Sequence, residues 1–172
     1  MTNQEIVEKI KSPHPKVILC DFSRTLCHPT DAHYLGGLND LDKKLTAKQG
    51  SYPFFDHFQL NDQLLAAIKD LHDKYGTQTY IFTTDLIQEK PEVKQITDPV
   101  FNGTHIANQL GVSKSDPSAY EKLAQILGIE PGEILFIDDS AANIQAAATA
   151  GIRTIRYSNN SQILQNLESI FH

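Results

Sequence analysis

Two short apolar runs in this chain end in carboxylates. Val17-Ile18-Leu19-Cys20 leads into Asp21, and Ile134-Leu135-Phe136-Ile137 leads into Asp138-Asp139. Uninterrupted apolar runs of this length predict strands buried within a sheet. Each run then delivers its acid to the C-terminal edge of that sheet, where open α/β sheets bind ligands. Carboxylates gathered at one place repel one another and need a cation to relieve the repulsion.

The rest of the chain alternates β-rich runs with helical stretches. Strands are expected at Val17–Asp21, Thr79–Thr83, Thr104–Ala107, Ile134–Ile137 and Thr154–Tyr157, and helices at Asp62–Tyr75, Pro117–Leu127, Ala141–Ala150 and Gln162–Ile170. Asn61 is placed to cap the first of these helices, whose Leu64, Leu65, Ile68 and Leu71 form one apolar stripe. Gly76, Gly128 and Gly151 each stand just past a helix, as C-terminal caps do. The alternation predicts a three-layer α/β sandwich with a mainly parallel, Rossmann-like sheet of about five strands. The segment from about residue 27 to 59 breaks the rhythm with Pro29, Gly36-Gly37, Pro53 and the aromatic group Tyr52, Phe54, Phe55 and Phe58. It reads as a small cap-like insertion after the first strand, within one domain spanning 1–172, and the aromatic group reads as packing beneath a loop.

At 172 residues the chain suits a single domain with a sizeable core. A formal net charge of −6 argues against broad nucleic-acid binding. No run approaches the length of a membrane span, so neither nucleic acid nor membrane is expected as a partner. Met1 to Lys11 is polar and charged, unlike a signal peptide, and reads as a short amphipathic helix with Ile6, Val7 and Ile10 on one face. Of the two cysteines, Cys20 lies in an expected buried strand, so a disulfide is not expected and a cytoplasmic setting fits best. Cys27, His28, Asp31 and His33 match no standard zinc spacing and read as ordinary polar residues.

Four motifs in order carry a family resemblance: Asp21-Phe22-Ser23-Arg24-Thr25-Leu26, Tyr80-Ile81-Phe82-Thr83-Thr84, Gly111-Val112-Ser113-Lys114-Ser115-Asp116-Pro117, and Ile134 to Asp139 running on through Asn143 to Gly151. Together they resemble the haloacid dehalogenase-like hydrolase superfamily, in its phosphatase-like branch, over roughly Lys16 to Tyr157. The resemblance implies a Mg²⁺-dependent hydrolase acting on a small phosphorylated molecule through an aspartyl-phosphate. Asp21 would be the nucleophile. Asp21, the backbone carbonyl of Ser23, Asp138 and Asp139 would serve the metal. Thr83, Thr84, Arg24 and Lys114 would contact the phosphate, with Lys114 also pairing with Asp21. Lys122 lies near enough in sequence to compete with Lys114 for the third motif.

One departure from the family pattern matters chemically. Phosphatases of this family usually carry a second Asp where Ser23 stands, and that Asp acts as general acid and base. Serine cannot replace it near neutral pH, and such help is worth on the order of 10²–10⁴-fold in rate. Three routes are open: a leaving group that needs no proton, a proton from another residue such as His28, or binding of a phosphorylated ligand without fast turnover. Arg24 stands where the family usually has Gly. Branches that cleave halides or phosphonates also lack the second Asp. The acidic pair Asp138-Asp139 argues against the metal-free halide branch, and nothing marks Lys43, Lys44 or Lys48 as the desolvated amine of the phosphonate branch.

Overall fold

The computed structural model describes residues 13–172; the helix expected over Met1–Lys11 lies outside the described residues. Strands are β1 (Val17–Cys20), β2 (Cys27–Pro29), β3 (Phe58–Leu60), β4 (Gln78–Thr83), β5 (Gly103–Ile106), β6 (Ile134–Asp138) and β7 (Arg153–Arg156). Helices are α1 (Leu38–Gln49), α2 (Asp62–Tyr75), α3 (Pro91–Thr97), α4 (Ala107–Leu110), α5 (Pro117–Leu127), α6 (Ala141–Thr149) and α7 (Asn160–Phe171). Five strands form one sheet in the order β5-β4-β1-β6-β7, every neighbouring pair parallel. The chain winds outward from β1 through β4 to β5, then returns to β6 on the other side of β1. That reversal puts the topological switch point between β1 and β6.

Alternation along the central strands sorts side chains into two cores. Ile18, Cys20, Ile81, Leu135 and Ile137 face Leu64, Ile68, Ile163, Leu167 and Phe171 of α2 and α7. Val17, Leu19, Phe82, Ile134 and Phe136 face Tyr120, Leu123, Ala146 and Ala147 of α5 and α6. Each fully buried Leu, Ile or Phe contributes about 1.5–3 kcal/mol relative to exposure, so neither face of β1 tolerates a polar residue. This is the expected three-layer sandwich. The strand ends differ from the sequence reading by a residue or so. The Asn61 cap forms, its side chain accepting from the Leu64 amide, and Gly76 and Gly128 adopt the left-handed cap conformation. Among the described residues no helix is long and apolar enough to cross a membrane.

Between β1 and α2 the chain makes an excursion. β2 and β3 pair antiparallel, closing a neck in which Cys27 lies opposite Leu60 and Pro29 opposite Phe58. Beyond the neck lies α1, a helix that the polar sequence Leu38-Asn39-Asp40-Leu41-Asp42-Lys43 did not announce. It docks by packing Leu38, Leu41 and Leu45 against the core and by polar contacts. Asn39 Oδ1 accepts from the Ile87 amide, Lys43 pairs with Asp85, and Asp42 takes both the Tyr52 hydroxyl and Lys90. Tyr52, Phe54 and Phe58 are buried under this excursion while Phe55 is exposed, which makes the aromatic group packing rather than a pocket.

Candidate active site

A cleft of about 410 Å³ opens over the C-terminal ends of β1, β4 and β6 and is walled by the start of α1. Its floor begins with the turn after β1. The Phe22 carbonyl accepts from the amides of Thr25, Leu26 and Cys27, and the Arg24 amide donates to the Cys27 carbonyl. Phe22, fully buried, anchors this tight coil. The coil forces Arg24 to φ 60°, the one positive φ outside glycine among the described residues. A usual Gly at this position would adopt that conformation without the ~1–2 kcal/mol that a side chain costs there. The Arg24 guanidinium reaches over to donate to the carbonyls of Tyr34 (3.0 Å) and Gly36 (2.7 Å). It borders the cleft, but both bonds shown for its side chain hold the loop that leads into α1.

Asp21 is buried at the end of β1, its amide donating to the Ile137 carbonyl of β6. Lys114 lies across from it, 6% exposed. The ammonium has three donors and all three are used: Asp21 Oδ1 at 2.6 Å, Asp138 Oδ2 at 2.9 Å and the Phe82 carbonyl at 3.0 Å. The Tyr120 hydroxyl in turn donates to the Lys114 carbonyl and fixes its backbone. Lys122 is exposed and donates to the Leu110 carbonyl, away from the cleft, so geometry separates the two lysines that sequence spacing left in competition.

Asp138 is completely buried, and both its oxygens are engaged. Oδ1 accepts from the Ser140 amide, and Oδ2 accepts from Asn143 and Lys114. Ser140 caps α6, so the acidic pair itself is free of that task. Asp139 is half-buried and borders the cleft; the Arg156 guanidinium donates to its carbonyl and steadies the loop. One carboxylate oxygen from each of Asp21, Asp138 and Asp139 lies within 4.8 Å of the others. With all three carboxylates ionised, the single ammonium of Lys114 leaves two negative charges uncompensated.

Burial and the neighbouring carboxylates govern the titration here. Desolvation pushes the Asp21 carboxyl up to about 7; Lys114 opposes that rise and Asp138 adds to it. Desolvation followed by Asp138 likewise raises Asp139. For Lys114 burial disfavours the ammonium, but Asp21 and Asp138 outweigh it and hold the pKa above the ordinary lysine value. Cys20 and Cys27 are free thiols, both raised by burial, so neither is a thiolate nucleophile.

The structure therefore brings Asp21, Ser23, Arg24, Thr83, Thr84, Lys114, Asp138 and Asp139 to one cleft. Thr83 is buried at the end of β4 and Thr84 is exposed just beyond it. Thr25 donates to Asp21 Oδ2 at a long 3.4 Å. His28 is outside the cleft; its Nε2 lies 3.3 Å from the Thr25 carbonyl, and burial lowers its pKa. Among the described residues the three aspartates are the one group of acids, histidines or cysteines close enough to share a metal. Asn39, Asp40, Lys43, Asp85 and Asn143 also line the cleft. Sequence reading did not single them out as site residues. Asn143 had a readable signal, its place one turn into the helix after the acidic pair, whereas the others depend on where α1 docks.

Comparison with known proteins bears on the family and the fold. The family profile of haloacid dehalogenase-like hydrolases matches residues 16–151. An enolase-phosphatase E1 of Sorangium cellulosum is 46% identical over 43 residues, which cover 25% of this chain and 18% of that protein. The enolase-phosphatase E1 of Methylococcus capsulatus is 30% identical over 131 residues, covering 67% of this chain and 56% of the relative. The chain thus spans little more than half the length of the second relative and under a fifth of the first. An (S)-2-haloacid dehalogenase 4A of Burkholderia cepacia is 25% identical over 150 residues, covering 78% of this chain and 63% of that one. Among solved structures, a predicted HAD-like family hydrolase from Porphyromonas gingivalis superposes with a TM-score of 0.63 at 16% identity, covering 93% of this chain and 99% of that one. A HAD family enzyme from Bacteroides thetaiotaomicron, in complex with magnesium and inorganic phosphate, superposes with a TM-score of 0.58 at 16% identity, covering 84% and 94%. These structural likenesses speak to the fold.

Proposed function

The chain belongs to the haloacid dehalogenase-like hydrolases, and from that premise we propose that it is a Mg²⁺-dependent, phosphatase-like hydrolase with Asp21 as nucleophile. The observation that carries the reading is the convergence of Asp21, Asp138 and Asp139 around Lys114 at the switch point of the sheet. Relatives named as enolase-phosphatases, and the neighbour bound to magnesium and inorganic phosphate, support it. We read the Cys27–Leu60 excursion as a small cap that walls the cleft.

The donor set fits Mg²⁺: hard carboxylate oxygens, close together, with two charges left to balance. Asp21, Asp139 and the Ser23 carbonyl would hold the ion, with Asp138 as a further ligand directly or through water. Bound there, it would neutralise the repulsion between a phosphate dianion and the nucleophile. Lys114 grips Asp21 Oδ1 and so orients the carboxylate, while Oδ2 keeps the long contact to Thr25. An Asp21 oxygen would bond to phosphorus as the bond from phosphorus to the leaving oxygen breaks, giving an aspartyl-phosphate and the freed leaving group. Thr83, which lines the cleft at the end of β4, would donate to phosphoryl oxygens.

Ser23 supplies no acid to the leaving group, so the substrate class is small phosphates whose leaving group departs readily. A second reading, a phospholigand-binding protein with impaired turnover, draws on one observation. The Ser23 hydroxyl is buried without a hydrogen-bond partner, and no histidine lines the cleft to act in its place. Turnover of an aryl phosphate with Mg²⁺, reduced to background in Asp21→Asn, is the result expected of the hydrolase. Binding of Mg²⁺ and phosphate without any turnover would favour the binding protein.

A further inference from the structure

We infer that Asn61, held by Tyr157 and Asn160, is a positioning residue of the cation site: its amide braces the coil after β1 against the C-terminal ends of β6 and β7. The inference rests on the reading of Asp21, Asp138, Asp139 and the Ser23 carbonyl as that site, and deepens it.

The Asn61 side chain does two things through two different atoms. Its Oδ1 accepts from the Leu64 amide and caps α2. Serine or aspartate would cap as well, so the cap does not call for an amide. The amide nitrogen is what asparagine alone adds among the strong capping residues. Asn61 is 6% exposed, and its Nδ2 donates to the Thr25 carbonyl at 3.1 Å and to Asn160 Oδ1 at 2.8 Å. The Tyr157 hydroxyl lies 3.1 Å from the same nitrogen and donates to Asn160 Oδ1 at 3.0 Å, which closes a ring of three side chains. The Tyr157 backbone amide in turn donates to the Asp138 carbonyl at 2.9 Å. One unbroken set of hydrogen bonds thus joins Thr25, in the coil after β1, to Asp138, at the end of β6.

The brace lies where the sheet stops setting distances. The pairing of β1 with β6 ends at Cys20 opposite Ile137, and the Asp21 amide adds a last bond to the Ile137 carbonyl. Past that point the coil carries the Ser23 carbonyl and the Thr25 hydroxyl, which donates to Asp21 Oδ2 at 3.4 Å. The other strand carries Asp138 and Asp139. Mg²⁺ demands near-octahedral oxygen ligands at about 2.0–2.1 Å, so a small drift of the coil would take the Ser23 carbonyl out of a sphere shared with the acids. Asn61 holds the coil twice, through its Nδ2 on Thr25 and through its backbone amide on the Leu26 carbonyl. His28 Nε2, 3.3 Å from the Thr25 carbonyl, is the rival support.

The test is calorimetry of the full chain with Mg²⁺ alone at pH 8, beside urea unfolding of the same proteins. Asn61→Ser keeps a cap for α2 and loses the amide. Tyr157→Phe keeps the ring and loses the hydroxyl that fastens Asn160. Leu71→Ala opens a cavity near the other end of α2 and controls for general loosening. The expected result is a Kd for Mg²⁺ raised about tenfold in Asn61→Ser, the lower end of the range for removing a residue that orients metal ligands. Tyr157→Phe should raise it by a smaller factor, and Leu71→Ala should keep the wild-type Kd despite a lower unfolding midpoint. Wild-type affinity in both Asn61→Ser and Tyr157→Phe would make Asn61 a cap alone and overturn the inference, with His28 and the sheet sufficient to hold the coil. An equal loss of affinity in Leu71→Ala would also overturn it, by tying affinity to overall stability. Absence of Mg²⁺ binding in the wild type would contradict the cation-site reading itself, and the inference with it.

Discussion

Lys114 on the floor of the cleft and Lys43 on its wall carry the same charge in different surroundings. The Lys114 side chain is 5% exposed and meets two carboxylates and a carbonyl. The Lys43 side chain is 66% exposed and meets Asp85 alone, at 2.9 Å. In a buried site, losing one charge strands its partners in a poor solvent; at the surface, water replaces the lost partner. The same contrast runs through the two regions. The floor is made of strand ends locked by the central sheet, whereas the wall is a helix held by three leucines and by polar contacts nearer the surface. The floor is part of the fold, and the wall can be altered with little effect on it.

The largest expected effect comes from breaking the floor. Lys114→Ala leaves Asp21 and Asp138 without their counter-charge and should cost about 3–5 kcal/mol in urea denaturation. Lys43→Ala should leave the unfolding midpoint unchanged, and Lys122→Ala should change stability by less than about 0.5 kcal/mol. Equal losses from Lys114 and Lys122 would erase the distinction between buried and exposed charge on which the comparison rests.

Next in size is the junction of floor and wall. Asn61 caps α2, and its amide nitrogen also donates to the Thr25 carbonyl and to Asn160. Asn61→Ala should destabilise by about 1–3 kcal/mol, the range for stranding buried polar groups and losing a cap. A change near zero would show that the neck holds without it.

Arg24→Gly tests the wall itself, with opposing contributions. Removing the side chain relieves about 1–2 kcal/mol of left-handed strain. It also removes two charge-assisted bonds and adds backbone entropy to the unfolded chain, which should leave a net loss of about 1 kcal/mol. Limited proteolysis should then cut near Tyr34–Gly37 faster than in wild type. Unchanged cleavage would mean that the α1 contacts hold the wall alone.

Much of the floor was legible in the sequence, because strand ends fix direction. A residue ending a buried apolar run in a parallel sheet sits at the C-terminal edge, which is why Asp21, Asp138 and Asp139 could be placed together, while Thr83 and Lys114 were reached only through the family resemblance. The wall was not legible for the opposite reason. Leu38, Leu41 and Leu45 recur at helical spacing and pack against the core, but only Leu38 is fully buried, and the docking of α1 through Asn39, Asp42 and Lys43 depends on partners distant in the chain. Arg24 shows the limit of spacing arguments. Its position beside the site was readable, but the turn of its side chain onto the Tyr34 and Gly36 carbonyls depends on a loop folded elsewhere in the chain. The competition between Lys114 and Lys122 was likewise decided by tertiary placement.

The central claim is that the floor is a cation site, and it is tested most directly by Mg²⁺ calorimetry at two pH values. Burial raises Asp21 to about 7, so its protonated form stabilises the metal-free protein below the ordinary aspartate range and that stability is lost as pH rises through about 7. Mg²⁺ needs the ionised carboxylate. The account predicts binding at millimolar or tighter affinity at pH 8, weaker binding at pH 6, and loss of binding in Asp139→Asn. No Mg²⁺ binding at millimolar concentration at pH 8, or affinity indifferent to Asp139, would contradict it.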